Sequence, residues 1–150
     1  MANDERCTPR WLYDHVHEAF HFQVDLAATK ENALCPAYYT KENNALNKDW
    51  NLISVSCWCN PPYSRGQLIR WVTKAIESPN ATILMLLPGD CSTKAGQLAL
   101  SNSSGVLFLD RRLSFDNEPQ GAKFASWLVL FNGDIRDRRK LYGLDLGVVL

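Results

Sequence analysis

The sequence predicts a single α/β domain over residues 1–150, with a mostly parallel central sheet and helices on both of its faces. Three observations support this prediction. Apolar runs of strand length alternate with stretches whose apolar residues recur at helical spacing. Residues 81–87 are continuously apolar, which is typical of a strand covered on both faces. The chain of 150 residues is 46% hydrophobic, which is enough to fill the core of one domain.

The first helix is predicted to begin at Thr8 and Pro9, with Thr8 as its cap and Pro9 at the first helical position. Leu12, Val16 and Phe20 follow on one helical face. A Thr hydroxyl and the free amide groups of a helix start can also hold a carboxylate. From the residues alone, the capping role of Thr8 is favoured.

Residues 22–26 are predicted to form the first strand, with Asp25 near its carboxyl end, where ligands bind in open α/β sheets. Ala27 and Ala28 then permit close approach of the backbone, although a Gly-x-Gly turn is missing here. Residues 37–40 are a candidate second strand. Because the stretch between this strand and the next is too short for a full crossover, we expect one strand to be lost or reduced on this side of the sheet.

The central strand, residues 53–59, leads into Asn60-Pro61-Pro62-Tyr63, and an amphipathic helix is predicted within residues 64–78. The two prolines fix φ and remove two backbone donors, so the loop is rigid and its carbonyls are free to accept hydrogen bonds. Asn60 adds a side-chain oxygen and Tyr63 a flat aromatic face. Such a loop can accept two hydrogen bonds from an NH₂ group while stacking on the ring that carries it. The alternative is a proline-stiffened turn with a packed tyrosine.

Later elements are predicted as a helix at 92–100 and strands at 105–109 and 126–131. Between these strands, Arg111, Arg112 and Lys123 are candidates for phosphate contacts, and Phe115 is a candidate for contact with a base. Surface charges and a core phenylalanine explain the same residues equally well. A basic cluster in the tail is either a solvated stretch or a further phosphate contact; its members are Arg136, Arg138, Arg139 and Lys140.

The composition limits the classes of function. With 16 basic and 16 acidic residues the formal net charge is zero, so binding to nucleic acid would need a local positive face. The five cysteines form no Cys-x-x-Cys pair, and their odd number favours neither a zinc site nor a disulfide framework. Cys57 and Cys59 are predicted to be small core residues on one face of a strand. Neither a signal peptide nor a long apolar segment is found, which leads us to expect a cytoplasmic protein without a membrane role.

The tetrapeptide Asn60-Pro61-Pro62-Tyr63 resembles the catalytic motif of amino-methyltransferases that use S-adenosyl-L-methionine. The wider pattern resembles the phage and prophage DNA N(6)-adenine methyltransferase (Dam) family, and the likeness covers about residues 8 to 131. Five further elements occur in the family's order: Thr8-Pro9, Asp25-Leu26-Ala27-Ala28, Asn44-Ala45-Leu46, Asp49-Trp50 and Arg112-Leu113-Ser114-Phe115.

This resemblance implies a Rossmann-like class I methyltransferase fold, reduced on the side of its second and third strands. It implies S-adenosyl-L-methionine as cofactor, double-stranded DNA as partner, no metal, and action in the cytoplasm of a bacterial host if the gene is carried by a phage. The implied catalytic residues are Asn60, Pro61, Pro62 and Tyr63. The implied cofactor-binding residues are Thr8, Pro9, Asp25, Ala27, Glu42, Asp49, Trp50 and Asn60. The implied nucleic-acid contacts are Ser64, Arg65, Arg111, Arg112, Phe115 and Lys123.

Two other interpretations remain open at this point. An amino-methyltransferase with the same loop can act on adenine in RNA or on a glutamine side chain of a protein. Alternatively, the chain is a non-catalytic DNA-binding or interaction protein that kept the fold, which the absent Gly-x-Gly turn and the small size favour. The recognition sequence and the oligomeric state cannot be read from the sequence.

Overall fold

A computed structural model describes residues 6–115 and 124–150. Within these residues the chain forms seven strands in one sheet and four α-helices. The helices are α1 (Arg10–Phe20), α2 (Gln67–Ile76), α3 (Lys94–Asn102) and α4 (Ile135–Gly143). The strands are β1 (Val24–Asp25), β2 (Ala37–Tyr38), β3 (Ser56–Cys59), β4 (Thr82–Pro88), β5 (Gly105–Leu109), β6 (Ser126–Phe131) and β7 (Gly147–Val149). Two short 3₁₀ helices, Ala45–Asn47 and Trp50–Leu52, lie between β2 and β3.

The strand order is β2-β1-β3-β4-β6-β5-β7. The first four strands in this order are parallel, whereas β6 runs antiparallel to β4 and β5, and β7 runs antiparallel to β5. The prediction of a mostly parallel sheet is therefore correct for one half only. The reason is that β5 and β6 are consecutive in the chain and adjacent in the sheet, so the chain returns along its neighbour instead of crossing over.

The helices cover both faces of the sheet, as predicted. Along β4, Leu84 and Leu86 pack on the face that carries α1 and α4. Ile83, Met85 and Leu87 pack on the other face with α2 and α3. This alternation follows from the two-residue period of a strand and makes β4 buried on both sides. Cys57 and Cys59 are fully buried with the second set, as predicted from their spacing.

The sheet is thin at one edge. β1 and β2 are each only two residues long, which agrees with the expectation of a reduced sheet on this side. The predicted strand 22–26 shortens at both ends to Val24–Asp25, and the predicted strand 53–59 shortens from its amino end, since β3 begins at Ser56.

The tail is more ordered than its composition suggests. Residues 135–143 form α4, which begins with a capping box between Asp134 and Asp137. Leu141 anchors this helix in the core, and β7 then extends the sheet beyond β5. The basic cluster therefore lies on a helix that the sequence pattern did not predict, and its residues Arg136 and Arg139 are exposed to solvent. Among the described residues, no helix is both long and apolar enough to cross a bilayer.

Candidate active site

The candidate site lies at the carboxyl ends of β1 and β3. From β1 the chain moves outward to β2 and then returns to the other side of β1 to form β3. This change of direction leaves a crevice between the loops that follow the two strands, which is the usual ligand position in an open α/β sheet. A cavity of about 370 Å³ occupies the crevice. Its volume is within the range of small-molecule sites, which is roughly 300–1,000 Å³.

Arg6 and four further segments of the chain form the cavity wall. The loop after β1 contributes Leu26, Ala27, Ala28, Thr29 and Asn32, and the stretch after β2 contributes Tyr39, Thr40, Lys41, Asn44, Ala45 and Leu46. The loop after β3 contributes Asn60 and Pro62, and the start of α2 contributes Gln67, Arg70 and Trp71. The wall therefore combines apolar surfaces with a few amide and hydroxyl groups, as ligand sites generally do.

Asn60 has the most unusual hydrogen bonding in this region. Its Nδ2 donates to the backbone carbonyl of Arg6 at 2.7 Å and to the Thr8 hydroxyl oxygen at 3.1 Å. The carbonyl can only accept, so this contact identifies the nitrogen end of the amide. The other end, Oδ1, is buried and accepts no hydrogen bond from the described residues. An unsatisfied buried acceptor costs about 1–3 kcal/mol, so the loop carries an acceptor that a bound donor would satisfy.

Tyr63 is half-buried, and both its hydroxyl and its ring make contacts. Its hydroxyl donates to the carbonyl of Leu86 at 3.0 Å. The Arg6 guanidinium carbon lies over the ring, 5.2 Å from its centroid, and 5.5 Å from the centroid of Phe124. Phe115 and Phe124 both meet Tyr63 edge-to-face, with centroids 6.4 Å and 5.9 Å away. Tyr63 thus belongs to an aromatic cluster beside the cavity, and Arg6 covers one face of its ring.

Asp25 is buried at the end of β1 and holds the loop that follows this strand. It is only 2% exposed, and its carboxylate accepts from the backbone N–H groups of Ala27 and Leu34, each at 3.2 Å. These bonds close the loop that begins with the cavity residues Leu26 and Ala27. Burial raises the pKa of Asp25 from its ordinary 3.8 to about 6, and the two backbone donors oppose that rise only in part.

The helix start differs from the prediction. α1 begins at Arg10, Pro9 takes the cap position with an extended backbone, and no side chain caps the helix. The capping role predicted for Thr8 is therefore wrong. Thr8 is 6% exposed, and its hydroxyl contacts Asn60 instead. The physical reason is that Pro9 has no N–H and a non-helical ψ of 129°, which moves the helix start one residue beyond Pro9.

The other predicted cofactor residues lie outside the cavity wall. Glu42 is exposed, next to the lining residue Lys41. Asp49 is exposed and caps the second 3₁₀ helix by accepting from the N–H of Asn51 at 3.0 Å. Trp50 is fully buried, and its Nε1 donates to the carbonyl of Ala45 at 2.8 Å. Trp50 thereby supports Ala45, which does line the cavity.

The predicted nucleic-acid residues that the structure describes follow β3 and β5, which end at the same carboxyl edge of the sheet. Ser64 and Arg65 follow the Asn60 loop, and Arg65 is exposed. Arg111 and Arg112, after β5, are also exposed. Arg111 pairs with Asp110 at 2.8 Å and lies over the exposed ring of Trp11 at 5.5 Å. Phe115 is 1% exposed in the core, and Lys123 falls outside the described residues.

Sequence reasoning missed much of the cavity wall. Asn44, Ala45 and Leu46 were noticed only as a family pattern, although a run between two short elements near a strand end is a usable signal. Arg70, on the predicted amphipathic helix, is exposed and also borders the cavity. Arg6 gave no signal, because its contacts are with residues more than 50 positions away.

Across residues 6–115 and 124–150, no three His, Cys, Asp or Glu side chains group closely enough to hold a metal ion. The free thiols Cys57 and Cys59 are buried, and burial raises the pKa of each, so they stay neutral core groups.

The chain is similar to one protein family and to two phage proteins that carry the same description. Residues 1–139 match the family model described as DNA N-6-adenine-methyltransferase (Dam). A protein of Escherichia phage T1 with the name DNA N-6-adenine-methyltransferase is 35% identical over 130 residues, which is 85% of this chain and 53% of the phage protein. A protein of Haemophilus phage HP1 with the same name is 32% identical over 120 residues, 76% of this chain and 67% of that protein.

A third relative is the putative methyltransferase YfdM of Escherichia coli K12. It is 37% identical over 67 residues, which is 41% of this chain and 74% of that protein. The chain spans about half the length of the T1 protein and two thirds of the HP1 protein.

Proposed function

Because the chain belongs to the DNA N-6-adenine-methyltransferase (Dam) family, we propose that it methylates the exocyclic amine of adenine in DNA, with S-adenosyl-L-methionine as donor. The first proposed substrate is double-stranded DNA, met in the cytoplasm of a bacterial host, since two of the relatives are phage proteins. The observation that carries the proposal is the buried, unsatisfied Oδ1 of Asn60 beside a cavity at the switch point of the sheet.

The fold we propose is the Rossmann-like class I methyltransferase fold. The parallel half of the sheet, β2-β1-β3-β4, supports this assignment. So does the position of the cavity, which borders the ends of two parallel strands where the chain reverses its direction of travel across the sheet.

The cavity fits the proposed cofactor in size and chemistry. Leu26, Tyr39 and Trp71 offer apolar and aromatic surface for a purine ring, and Asn32 and Asn44 offer amides for polar groups. Ala27 and Ala28 are the smallest side chains after glycine, so the backbone at this turn remains approachable. When bound, S-adenosyl-L-methionine supplies an electrophilic methyl group on a sulfonium sulfur. Glu42 and Asp49 are exposed near this wall, and we keep them as candidate ribose and adenine contacts of an occupied cavity.

Asn60 would act on the amine that is methylated. The lone pair of an adenine amine is delocalised into the ring, so the reaction needs orientation and polarisation of this group more than a strong base. Asn60 Oδ1 would accept one amine hydrogen, and the backbone carbonyl of Pro61 would accept the other. Both bonds would polarise the N–H groups and localise the lone pair toward the methyl group as the nitrogen becomes tetrahedral. The satisfied Oδ1 would recover the cost of its burial only when the amine is in position.

Tyr63 would receive the extruded base. A paired adenine is out of reach, and taking it out of the duplex costs roughly a few kcal/mol. Stacking on an aromatic ring returns about 1–3 kcal/mol per base. Because Arg6 covers one face of the Tyr63 ring, a base that uses this face must displace the guanidinium, which would then be available for a phosphate. Five side chains remain the proposed contacts with the DNA backbone: Ser64, Arg65, Arg111, Arg112 and Lys123. We assign Phe115 to supporting Tyr63 from the core.

The test uses the purified chain, radiolabelled S-adenosyl-L-methionine, and duplex DNA, RNA and a glutamine-containing protein extract in separate reactions. We expect label in the N6-methyladenine of DNA. Asn60→Ala should lose transfer while cofactor binding by calorimetry persists. Asn80→Ala is the matched control, because Asn80 is exposed at the amino end of β4, away from the cavity.

Three outcomes would contradict the proposal in different ways. Label in RNA or protein alone would identify another amino acceptor. Near-normal transfer by Asn60→Ala would eliminate the role of the amide. DNA binding without any binding of S-adenosyl-L-methionine would identify a non-catalytic protein that kept the fold.

A further inference from the structure

Thr8 makes a contact that its position in the sequence does not explain. It comes just before a helix, yet it does not cap that helix. Its side chain is 94% buried, since its relative exposure is 6%. Its hydroxyl oxygen lies 3.1 Å from Asn60 Nδ2, and the carbonyl of Arg6 lies 2.7 Å from the same nitrogen. Two acceptors from one short segment therefore converge on one end of the Asn60 amide.

The Arg6 carbonyl decides which end of the amide remains available, because a carbonyl can only accept, whereas the Thr8 hydroxyl can donate or accept. The Thr8 hydroxyl adds a second bond, which holds the amide in the orientation that the carbonyl selects. The oxygen and nitrogen ends of an asparagine side chain have nearly the same shape, so packing alone does not distinguish its two orientations. In the observed orientation Nδ2 has two acceptors and Oδ1 is left without a partner. In the flipped orientation Oδ1 would face the Arg6 carbonyl, and two acceptors in contact repel each other. The free end would then be a donor, which cannot accept a hydrogen from an amine.

We propose that Thr8 is a positioning residue for methyl transfer, which holds the Asn60 amide so that Oδ1 is kept for the substrate amine. This inference rests on the proposed function. It assigns Thr8 a different task from contact with the cofactor: the hydroxyl acts through Asn60 and touches neither reactant.

The substitutions Thr8→Val and Thr8→Ser separate this task from the alternatives. Valine keeps the shape of threonine and removes the hydroxyl, whereas serine keeps the hydroxyl. We expect Thr8→Val to lower kcat about tenfold, the effect of one lost hydrogen bond on the transition state, with unchanged affinity for S-adenosyl-L-methionine by calorimetry. Thr8→Ser should recover most of the rate. Thr82→Val is the control for loss of a hydroxyl and should keep the wild-type kcat. Thr82 lies at the amino end of β4, at the opposite edge of the sheet from the cavity.

A second measurement reads the amide directly. In ¹⁵N-labelled protein, the Asn60 side-chain NH₂ signals should be protected from solvent exchange in the wild type and in Thr8→Ser, and less protected in Thr8→Val. This readout does not depend on turnover. A Thr8→Val variant with a lowered free energy of unfolding but a normal kcat at low temperature would show a purely structural role for Thr8. That result would overturn the inference.

Two further results would also overturn it. Weaker cofactor binding by Thr8→Val with a normal kcat at saturation would make Thr8 a cofactor contact. Wild-type kcat and unchanged amide protection in Thr8→Val would mean that the Arg6 carbonyl suffices. A wild-type chain that methylates none of the substrates would instead remove the proposed function itself, and the inference with it.

Discussion

Substitution of Asp25 tests the account of the cavity floor. The buried carboxylate has a pKa of about 6, against 3.8 when it is free in the unfolded chain. The folded state therefore binds a proton more tightly than the unfolded state. The ionised form costs stability above pH 6, and this cost disappears as the pH falls from about 6 toward 4. The difference between the two pKa values corresponds to about 3 kcal/mol in full, of which about 2 kcal/mol would be observed between about pH 7.5 and about pH 4.5.

Urea unfolding of the wild type and Asp25→Asn at these two pH values measures this contribution. The asparagine does not titrate, and its single oxygen cannot replace both bonds to Ala27 and Leu34. The stability of the wild type relative to the variant should therefore increase by about 2 kcal/mol on acidification. Four exposed acids with lowered pKa change stability in the opposite direction, but they are common to both proteins and cancel: Glu42, Asp90, Asp110 and Asp134. An equal difference between the two proteins at both pH values would refute the reasoning.

Two other substitutions test side-chain hydrogen bonds to backbone carbonyls, one far from the site and one within it. Asn132→Gly should lower the free energy of unfolding by about 2–3 kcal/mol in urea titrations. The carbonyls of Ala75, Ser78 and Ala81 each lie 2.9 Å from Asn132 Nδ2, which shares its two hydrogens among them, and glycine tolerates the φ of 60° at this position. An unchanged midpoint would contradict this. Tyr63→Phe should lose about 1 kcal/mol of stability with the bond to Leu86, yet keep methyl transfer if the ring is the functional part; loss of transfer at normal cofactor affinity would assign the hydroxyl a role in the reaction.

The parts of the site that sequence predicts are those set by local rules. A strand that ends in Asn60-Pro61-Pro62 fixes a rigid loop at the carboxyl edge of the sheet, and Asn60 and Ala27 do line the cavity. Local rules also gave β5 and β6 at their observed bounds. They could not predict the direction of Asp25, since a residue at a strand end can face the ligand or the core. Here its carboxylate turns to the backbone of its own loop.

The remaining misses come from contacts distant in sequence and from weak patterns. The bonds from Asn60 to Arg6 and Thr8 join segments 54 and 52 residues apart, and no spacing rule reports such a contact. α4 was missed because its basic residues obscure an apolar face on which Leu141 is the buried residue. β7 has three residues, too few for alternation to be recognised.

The brevity of β1 and β2 has a consequence for how a ligand reaches the cavity. Two-residue strands contribute few ladder hydrogen bonds, so the wall from Leu26 to Leu46 depends on side-chain bonds such as Thr29 with Asn32 and Thr40 with Asn43. The six paired positions of β4 and β6 form the opposite extreme. Since the free energy of local opening is lowest where ladder hydrogen bonds are few, we expect the cavity wall to open at lower cost than the pair β4 and β6. The wall from Leu26 to Leu46 can therefore open locally to admit a ligand while the rest of the sheet stays folded. Ligand binding would stabilise this wall more than any other part of the sheet.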